Sequence, residues 1–218
     1  MSVRPAAGGG RWVEVGPQRL PRWIDGFAAR HGGVARTVGH ASGVLLVASD
    51  GAGAELHAPP GAPIRDDLPG FVAEAQTPRR LGLLLARRGA VALGLADGDR
   101  LVESKVDTRY VQSRTAAGGW SQQRFARRRE NQAKAAAGEA ADLAVRLLLP
   151  HVASLAALVC GGDRRAVDAV LADRRLASLA TLRAERLLDV PQPRHAVLVA
   201  AVAAARAVRI LVRDPLPD

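Results

Sequence analysis

The sequence predicts an α/β protein in which a small N-terminal α/β domain precedes a larger domain with a mixed sheet and a long projecting helix. Three observations support this fold class. Residues 80–95 have the apolar pattern of a β-hairpin, and a continuous helical pattern runs from Ser121 to the residue before Pro150. Strand and helix patterns then alternate to the end of the chain, which favours a sheet covered by helices.

The N-terminal part predicts a disordered tail followed by a small domain. The glycine tract in residues 1–10 predicts that these residues form the tail. Residues 11–78 are expected to form the domain and a linker. A strand is expected at 12–15, and a helix from Pro17 places apolar side chains on one face, namely Leu20, Trp23, Ile24 and Phe27. Later segments predict strands at 44–48 and 55–58 and a loop or linker, rich in Pro, Gly and Asp, at 59–78.

The second domain is predicted over residues 79–212, with 213–218 as a tail. Its expected elements, in order, are strands at 80–86, 90–95 and 101–106, a helix at 121–149, a strand at 155–160, a helix capped by Asp163 and ending at Leu171, a strand or short helix at 176–182, and a last helix at 193–212. The long helix has a polar, basic first half that should project from the domain. Its second half carries an apolar stripe that should dock on the core, namely Ala133, Ala136, Ala140, Leu143 and Leu147.

The composition narrows the class of function. The formal charge is +10, the pI is near 11.3, and 29 of the 31 basic residues are arginines. A single cysteine, Cys160, in an apolar run excludes a disulfide framework and favours a buried small side chain over a nucleophile. No signal peptide and no uninterrupted apolar stretch long enough to span a membrane is visible, so a cytoplasmic protein is expected.

Much of the positive charge lies in one stretch. Eight basic residues and two acidic ones fall between Lys105 and Lys134. On a helix, arginines three and four residues apart repel one another, and a polyanion such as a phosphate backbone relieves that repulsion. A solvated helix face in an arginine-rich protein is the alternative. The residues predicted to contact RNA are Lys105, Arg109, Arg114, Trp120, Arg124, Arg127, Arg128 and Arg129.

A glycine-containing loop precedes the arginine helix. Gly118 and Gly119 can adopt backbone conformations that other residues avoid, so this loop can approach a substrate closely. Gln122 and Gln123 follow Ser121, which is expected to cap the helix. A glutamine amide can orient a water molecule beside an ester, and nearby backbone N–H groups can stabilise an oxyanion. Taken alone, such a loop is more typical of simple flexibility, and the specificity of the signal comes from the loop and the helix together.

Together, the loop and helix resemble a known family. The motif Gly118-Gly119-x-Ser121-x-x-Arg124-Phe125-Ala126-Arg127-x-Arg129 is similar to the catalytic loop and following helix of eukaryotic and archaeal class I release factors. The order of elements over 79–212 follows the middle domain of that family, and bacterial Vms-type release-factor-like proteins match best. The resemblance implies a ribonuclease H-like fold and peptidyl-tRNA hydrolysis on stalled ribosomes or large subunits, in ribosome rescue and quality control. The implied partners are large-subunit ribosomal RNA at the peptidyl-transferase centre and peptidyl-tRNA.

The motif departs from the family at one position. In an ungapped alignment, Trp120 stands where the family has its catalytic glutamine. Treating Trp120 as an insertion brings Ser121-Gln122 into register, so Gln122 is the predicted catalytic residue and Gln123 the reserve. Two alternatives remain: a non-catalytic ribosome-binding factor of the same fold, and a general RNA-binding module with a flexible loop.

No cofactor, metal or membrane partner is expected, and the chain should be monomeric off the ribosome. The five histidines are scattered and lie near no acidic cluster in the sequence, which favours surface or capping roles over a metal site.

Overall fold

The computed structural model describes residues 2–87, 89–108 and 121–215, with the backbone alone for Ser2, Thr108 and 121–130. Two compact units make up the chain. The first contains Met1–Pro78 together with Ala203–Asp218, and the second contains Arg79–Val202. The C-terminal residues from Ala203 therefore belong to the first unit, whereas the sequence predicted that the second domain continues to residue 212.

The first unit contains a six-stranded antiparallel sheet of order β1-β2-β11-β5-β4-β3. Its strands are β1 (Ser2–Pro5), β2 (Arg11–Val15), β3 (Val34–His40), β4 (Gly43–Ala48), β5 (Gly53–His57) and β11 (Val208–Arg213). The last strand lies between β2 and β5, with Ile210 opposite Val13 on one side and Leu56 on the other. Strand β11, which comes late in the chain, thus lies among the strands formed by residues 2–57.

Two helices cover one face of this sheet. Helix α1 (Leu20–Arg30) follows a 3-10 turn at Pro17–Arg19, and α2 (Leu68–Gln76) is capped by the Asp67 carboxylate, which accepts a hydrogen bond from Gly70 N. The apolar face of α1 packs into the core as its spacing predicts, with Leu20, Ile24 and Phe27 buried.

Three sequence expectations for this unit are wrong. Residues 1–10 contain β1, which is held by pairing with β2 rather than by local propensity. The expected linker at 59–78 contains α2, started by Asp67 and a proline in the first turn. The expected helix at 193–212 divides into α6 (His195–Arg206) and β11, because partners on both sides select the strand for the β-branched residues at its end.

The second unit contains a mixed five-stranded sheet of order β10-β9-β6-β7-β8. Its strands are β6 (Arg80–Arg87), β7 (Ala90–Asp97), β8 (Arg100–Thr108), β9 (Ala157–Gly162) and β10 (Arg183–Leu188). The first three form an antiparallel meander, and β9 and β10 extend the sheet in parallel from β6. Gly162 has φ +95°, and a Cβ there would collide with the Ala86 carbonyl oxygen, so only glycine suits this end of β9.

Helices lie on both faces of the mixed sheet. On one face, α3 (Ser121–Leu147), α4 (Arg164–Leu171) and α5 (Ala177–Ala180) enclose a core that includes Leu84, Leu93 and Leu158. On the other face, Leu198 of α6 lies against Gly94 of β7. Burial on both faces explains why β6 and β7 are almost continuously apolar instead of alternating.

The α/β class, the mixed sheet and the long helix predicted from the sequence are confirmed. The region predicted as a strand or short helix at 176–182 is α5 after a 3-10 turn, and the strand that follows it, β10, has no counterpart in the sequence prediction. In the described part of the chain, no helix is both long enough and apolar enough to cross a membrane.

Candidate functional site

The candidate loop connects an edge strand to the long helix. Strand β8 is the last strand of the mixed sheet, and its final residues, Asp107 and Thr108, pair with Val91 and Ala90 at the beginning of β7. The chain next enters the described structure at Ser121, the first residue of α3. The loop is therefore attached to the sheet at the edge where the β6–β7 hairpin turns.

Helix α3 docks through its second half. Ala140, Ala141, Ala144 and Leu147 are buried against the mixed sheet, whereas residues 131–135 are exposed. Between the exposed segment and the start of the helix lie ten more residues, 121–130, which add about 15 Å at 1.5 Å per residue. The core thus holds one end of α3, and the other end continues away from the buried segment toward the loop.

The docking stripe differs from the predicted one by a small rotation of the helix. Ala133 is exposed and Ala136 and Leu143 are half-buried, while Ala141 and Ala144, which were not in the predicted stripe, are buried. Alanines occupy most of this region, so their periodicity alone cannot locate the face that packs. The leucines of the neighbouring sheet determine which face of the helix is buried.

Exposed charged groups connect the docked half of α3 to a neighbouring segment. The Arg175 guanidinium lies 2.7 Å from both Asp142 of α3 and Asp173. The hydrogen bonds from Arg175 hold the pKa of Asp173 at about 2, well below its usual range, and the same contacts raise the pKa of Arg175. This exposed network joins α3 to the segment that leads into α5.

A groove of about 300 Å³ lies beside α3, lined mostly by small side chains. Alanines of α3 and α4 form much of its wall, and Asp107, Asp163, Glu139, Arg87 and Arg165 also line it. Acidic and basic groups are mixed there, so this groove lacks the single-sign charge that RNA binding requires. Asp163 also caps α4, accepting hydrogen bonds from Arg165 N and Ala166 N at 2.8 and 3.2 Å.

The predicted site residues fall into three groups. Lys105 is exposed on β8. Ser121, Gln122, Gln123, Arg124, Arg127, Arg128 and Arg129 lie in α3, the glutamines in its first turn, with only their backbone described. Arg109, Arg114, Gly118, Gly119 and Trp120 lie outside the described residues. Helix α3 begins at Ser121, the residue that the sequence predicted as its cap.

Two other predictions concern chemistry outside the loop. Cys160 is buried in β9, and burial raises the pKa of its thiol to about 11, which leaves it protonated and unreactive at neutral pH. Within the described residues, no group of three or more His, Cys, Asp or Glu side chains is placed to hold a metal ion.

Sequence reasoning missed a second basic region, on α1 of the first unit. Arg19, Arg22 and Arg30 line one groove there together with Arg11 of β2. The signal was present in the sequence, because positions 19, 22, 26 and 30 follow the three- and four-residue spacing of one helix side.

Residues 79–211 match the family model for the Actinobacteria/chloroflexi VLRF1 release factor. The chain belongs to this family. The match runs from β6 into β11 and includes α3 and the whole motif from Gly118 to Arg129. The resemblance to release factors inferred from the Gly118-to-Arg129 motif is thereby confirmed.

Solved structures give more distant similarities. An archaeal translation termination factor, aRF1, is 20% identical over 58% of this chain and 36% of that one, with a TM-score of 0.39. A structure described as an archaeal protein is 16% identical over 66% of this chain and 40% of that one, with a TM-score of 0.38. The chain thus spans well under half the length of both. No curated protein matches it.

Proposed function

We propose that the protein hydrolyses peptidyl-tRNA and thereby releases nascent chains from stalled ribosomes or large subunits, acting in the cytoplasm in ribosome rescue or quality control. The observation that carries this proposal is the match to a release-factor family over residues 79–211, which contains the whole motif from Gly118 to Arg129. The position of the loop supports it. A loop between an edge strand and the far end of a helix docked only by its second half is suited to reach into a narrow site.

The proposed chemistry is attack by one positioned water. Water adds to the ester carbonyl carbon, the bond to the tRNA ribose oxygen breaks, and that oxygen leaves with one proton of the water. The other proton passes to solvent, which leaves a free peptide carboxylate and a deacylated tRNA. Gln122, with Gln123 as reserve, orients the water through its amide. Gly118 and Gly119 give the loop its reach, and Ser121 lies beside the glutamines.

The first turn of α3 supplies a second element of this mechanism. The first backbone N–H groups of a helix have no partner inside it, and they carry the positive end of the helix dipole. Those of α3 belong to Ser121 and the residues after it. They are the candidate donors to the oxyanion that forms when water adds to the ester. The chain needs no cofactor for these steps, and the ribosome supplies the remaining contacts.

Ribosomal RNA and the tRNA acceptor stem are the proposed partners of the basic side chains, with the chain a monomer when off the ribosome. Lys105 is exposed on β8, at the edge of the sheet that leads to the loop. The other proposed contacts are Arg109, Arg114, Trp120, Arg124, Arg127, Arg128 and Arg129. Phosphates would relieve the repulsion among these arginines, and Trp120 offers a ring on which an unpaired base can stack.

The test is peptide release from large subunits that carry peptidyl-tRNA. Wild type is expected to release the peptide, and Gln122→Ala to slow release by about a hundredfold or more through loss of the positioned water. Gln123→Ala measures the reserve assignment, and Gln132→Ala, an exposed glutamine of the same helix, is the matched control. Full activity in both the Gln122→Ala and Gln123→Ala variants would contradict the proposed mechanism.

A second candidate function rests on Trp120. This residue stands where an ungapped alignment with release factors places their catalytic glutamine, which favours a binding factor that has lost catalysis. In the same assay, wild type that binds the subunits without releasing peptide would establish this second function.

A further inference from the structure

The first unit contains an open groove between α1 and the outer strands of its sheet. Helix α1 covers the sheet through Leu20, Ile24 and Phe27. The sheet continues past this helix to β1, where Val3 is 53% exposed. The uncovered strip forms a groove of about 480 Å³.

Among the described residues, arginines are the only charged ones that line this groove. Arg19, Arg22 and Arg30 come from α1 and the turn before it, and Arg11 comes from β2. Arg11 is paired with Asp214 at 2.5 Å. The other three are exposed and form no ion pair with any residue in the described part of the chain. Gly26, which lies between Arg22 and Arg30 on the same side of the helix, leaves the centre of the groove open.

The floor of the groove is apolar and carries one aromatic ring. Valines of β1, β2 and β11 line it beside Trp23, which is half-buried. The Trp23 ring stacks on Phe27 at 5.7 Å with an interplanar angle of 10°, so the buried Phe27 holds it in place. A fixed ring beside unpaired cations is the combination with which proteins bind single-stranded nucleic acid, phosphates on arginines and a base on the ring.

We propose that this groove binds single-stranded RNA and gives the protein a second RNA contact, separate from the loop and α3. Arg19 and Arg22, three residues apart, repel one another, and Arg30 adds a third positive charge on the same side; a run of phosphates neutralises all three. From Arg19, in the 3-10 turn before α1, to Arg30, at the end of α1, the chain rises about 17 Å, long enough for several nucleotides. The apolar floor with its ring favours RNA over an acidic peptide, because unpaired bases present flat apolar faces to stack.

The test is the affinity of the full chain for a fluorescein-labelled single-stranded RNA of about twelve nucleotides, measured by anisotropy over a range of salt concentrations. All variants carry Arg127→Gln and Arg128→Gln, so that α3 does not dominate binding. Adding Arg22→Gln and Arg30→Gln is expected to weaken binding about tenfold or more. The salt slope should fall by about 1.4, because each phosphate that an arginine neutralises on a single strand adds about 0.7 to it.

The matched control removes two exposed arginines of the same unit outside the groove, Arg36→Gln with Arg213→Gln. It should change affinity less than about twofold. A third variant, Trp23→Leu, should weaken binding about five- to a hundredfold with the salt slope unchanged, because stacking releases no counterions.

Three results would overturn the proposal: no RNA binding in the starting background, equal weakening by the groove pair and the control pair, or competition by polyglutamate as effective as competition by unlabelled RNA. Urea midpoints of each variant show that the fold is intact. The groove proposal goes beyond the proposed hydrolysis, and the two fail separately, since one is read as RNA affinity and the other as peptide release.

Discussion

Replacing Ile210 by alanine should destabilise the first unit, although this residue lies within the last nine positions of the chain. Ile210 is fully buried in β11, between Val13 of β2 and Leu56 of β5. Truncation to alanine removes roughly three methylene groups at about 0.8 kcal/mol each, and the cavity adds to this, so a loss of about 3 kcal/mol is expected.

Urea unfolding followed through the fluorescence of Trp12 and Trp23 reports on the first unit, since both lie in it. Trp120 is replaced by phenylalanine in every sample so that it adds no signal. With an m-value of about 1–3 kcal/mol/M, the midpoint should fall by about 1 M or more. Hydrogen exchange should also accelerate in β2 and β5, the two strands that pair with β11.

Val38→Ala is the matched control, because Val38 is 40% exposed on β3 and lies in the same unit as Ile210. Its midpoint should change by no more than the effect of about 0.5 kcal/mol that is usual for surface substitutions. An Ile210→Ala midpoint equal to that of the control would refute the inclusion of β11 in the first unit.

Three further predictions concern single side chains. Burial lowers the pKa of His57 below its usual 6.5, despite the opposing effect of Glu55. The unfolded chain therefore binds the proton more readily than the folded chain. The contribution of His57 to the free energy of unfolding is present above pH 6.5 and is lost as the pH falls through the folded-state pKa. His57→Asn should therefore lose less stability than wild type between about pH 7.5 and 5.5. Identical curves of the free energy of unfolding against pH for the two proteins would contradict this. Asp163→Ala removes the cap of α4 and should cost about 1 kcal/mol by urea unfolding monitored by circular dichroism, and an unchanged midpoint would show that the cap contributes nothing. Cys160, with its pKa raised to about 11, should react with a thiol reagent at mildly alkaline pH only after unfolding, so rapid modification of the folded chain would disprove its burial.

The sequence correctly predicted the elements that are determined by residues close together in the chain. The apolar face of α1, the hairpin of β6 and β7, and the Asp163 cap of α4 are each determined by residues within one or two turns, and the structure has all of them. The helix α2 could have been found as well, because Asp67 followed by a proline in the first turn is a start signal.

Elements that depend on distant partners were missed. The alanine-rich residues of α6 run directly into β11, and nothing local separates them; the pairing of β11 with β2 and β5 turns the last residues into a strand. The docking face of α3 was predicted wrongly for a similar reason. Alanines occur on several sides of this helix, and the packing against the sheet determines that Ala140, Ala141 and Ala144 are the buried ones.

For the candidate site, the sequence predicted the family through a motif whose spacing is fixed by chemistry, and the family is confirmed. The role of Gln122 remains a prediction, because it depends on the insertion of Trp120. The groove on α1 was missed because its arginines form a binding surface only together with the uncovered edge of the sheet, which the sequence does not show.

Catalysis by Gln122 is tested most directly by separating ribosome binding from peptide release in one sample. Large subunits carrying peptidyl-tRNA are mixed with the Gln122→Ala variant; subunit binding is measured by co-sedimentation and peptide release is measured in the supernatant. We expect this variant to bind as wild type does, while release falls by about a hundredfold or more. Release at the wild-type rate with undiminished binding would contradict a catalytic role for Gln122.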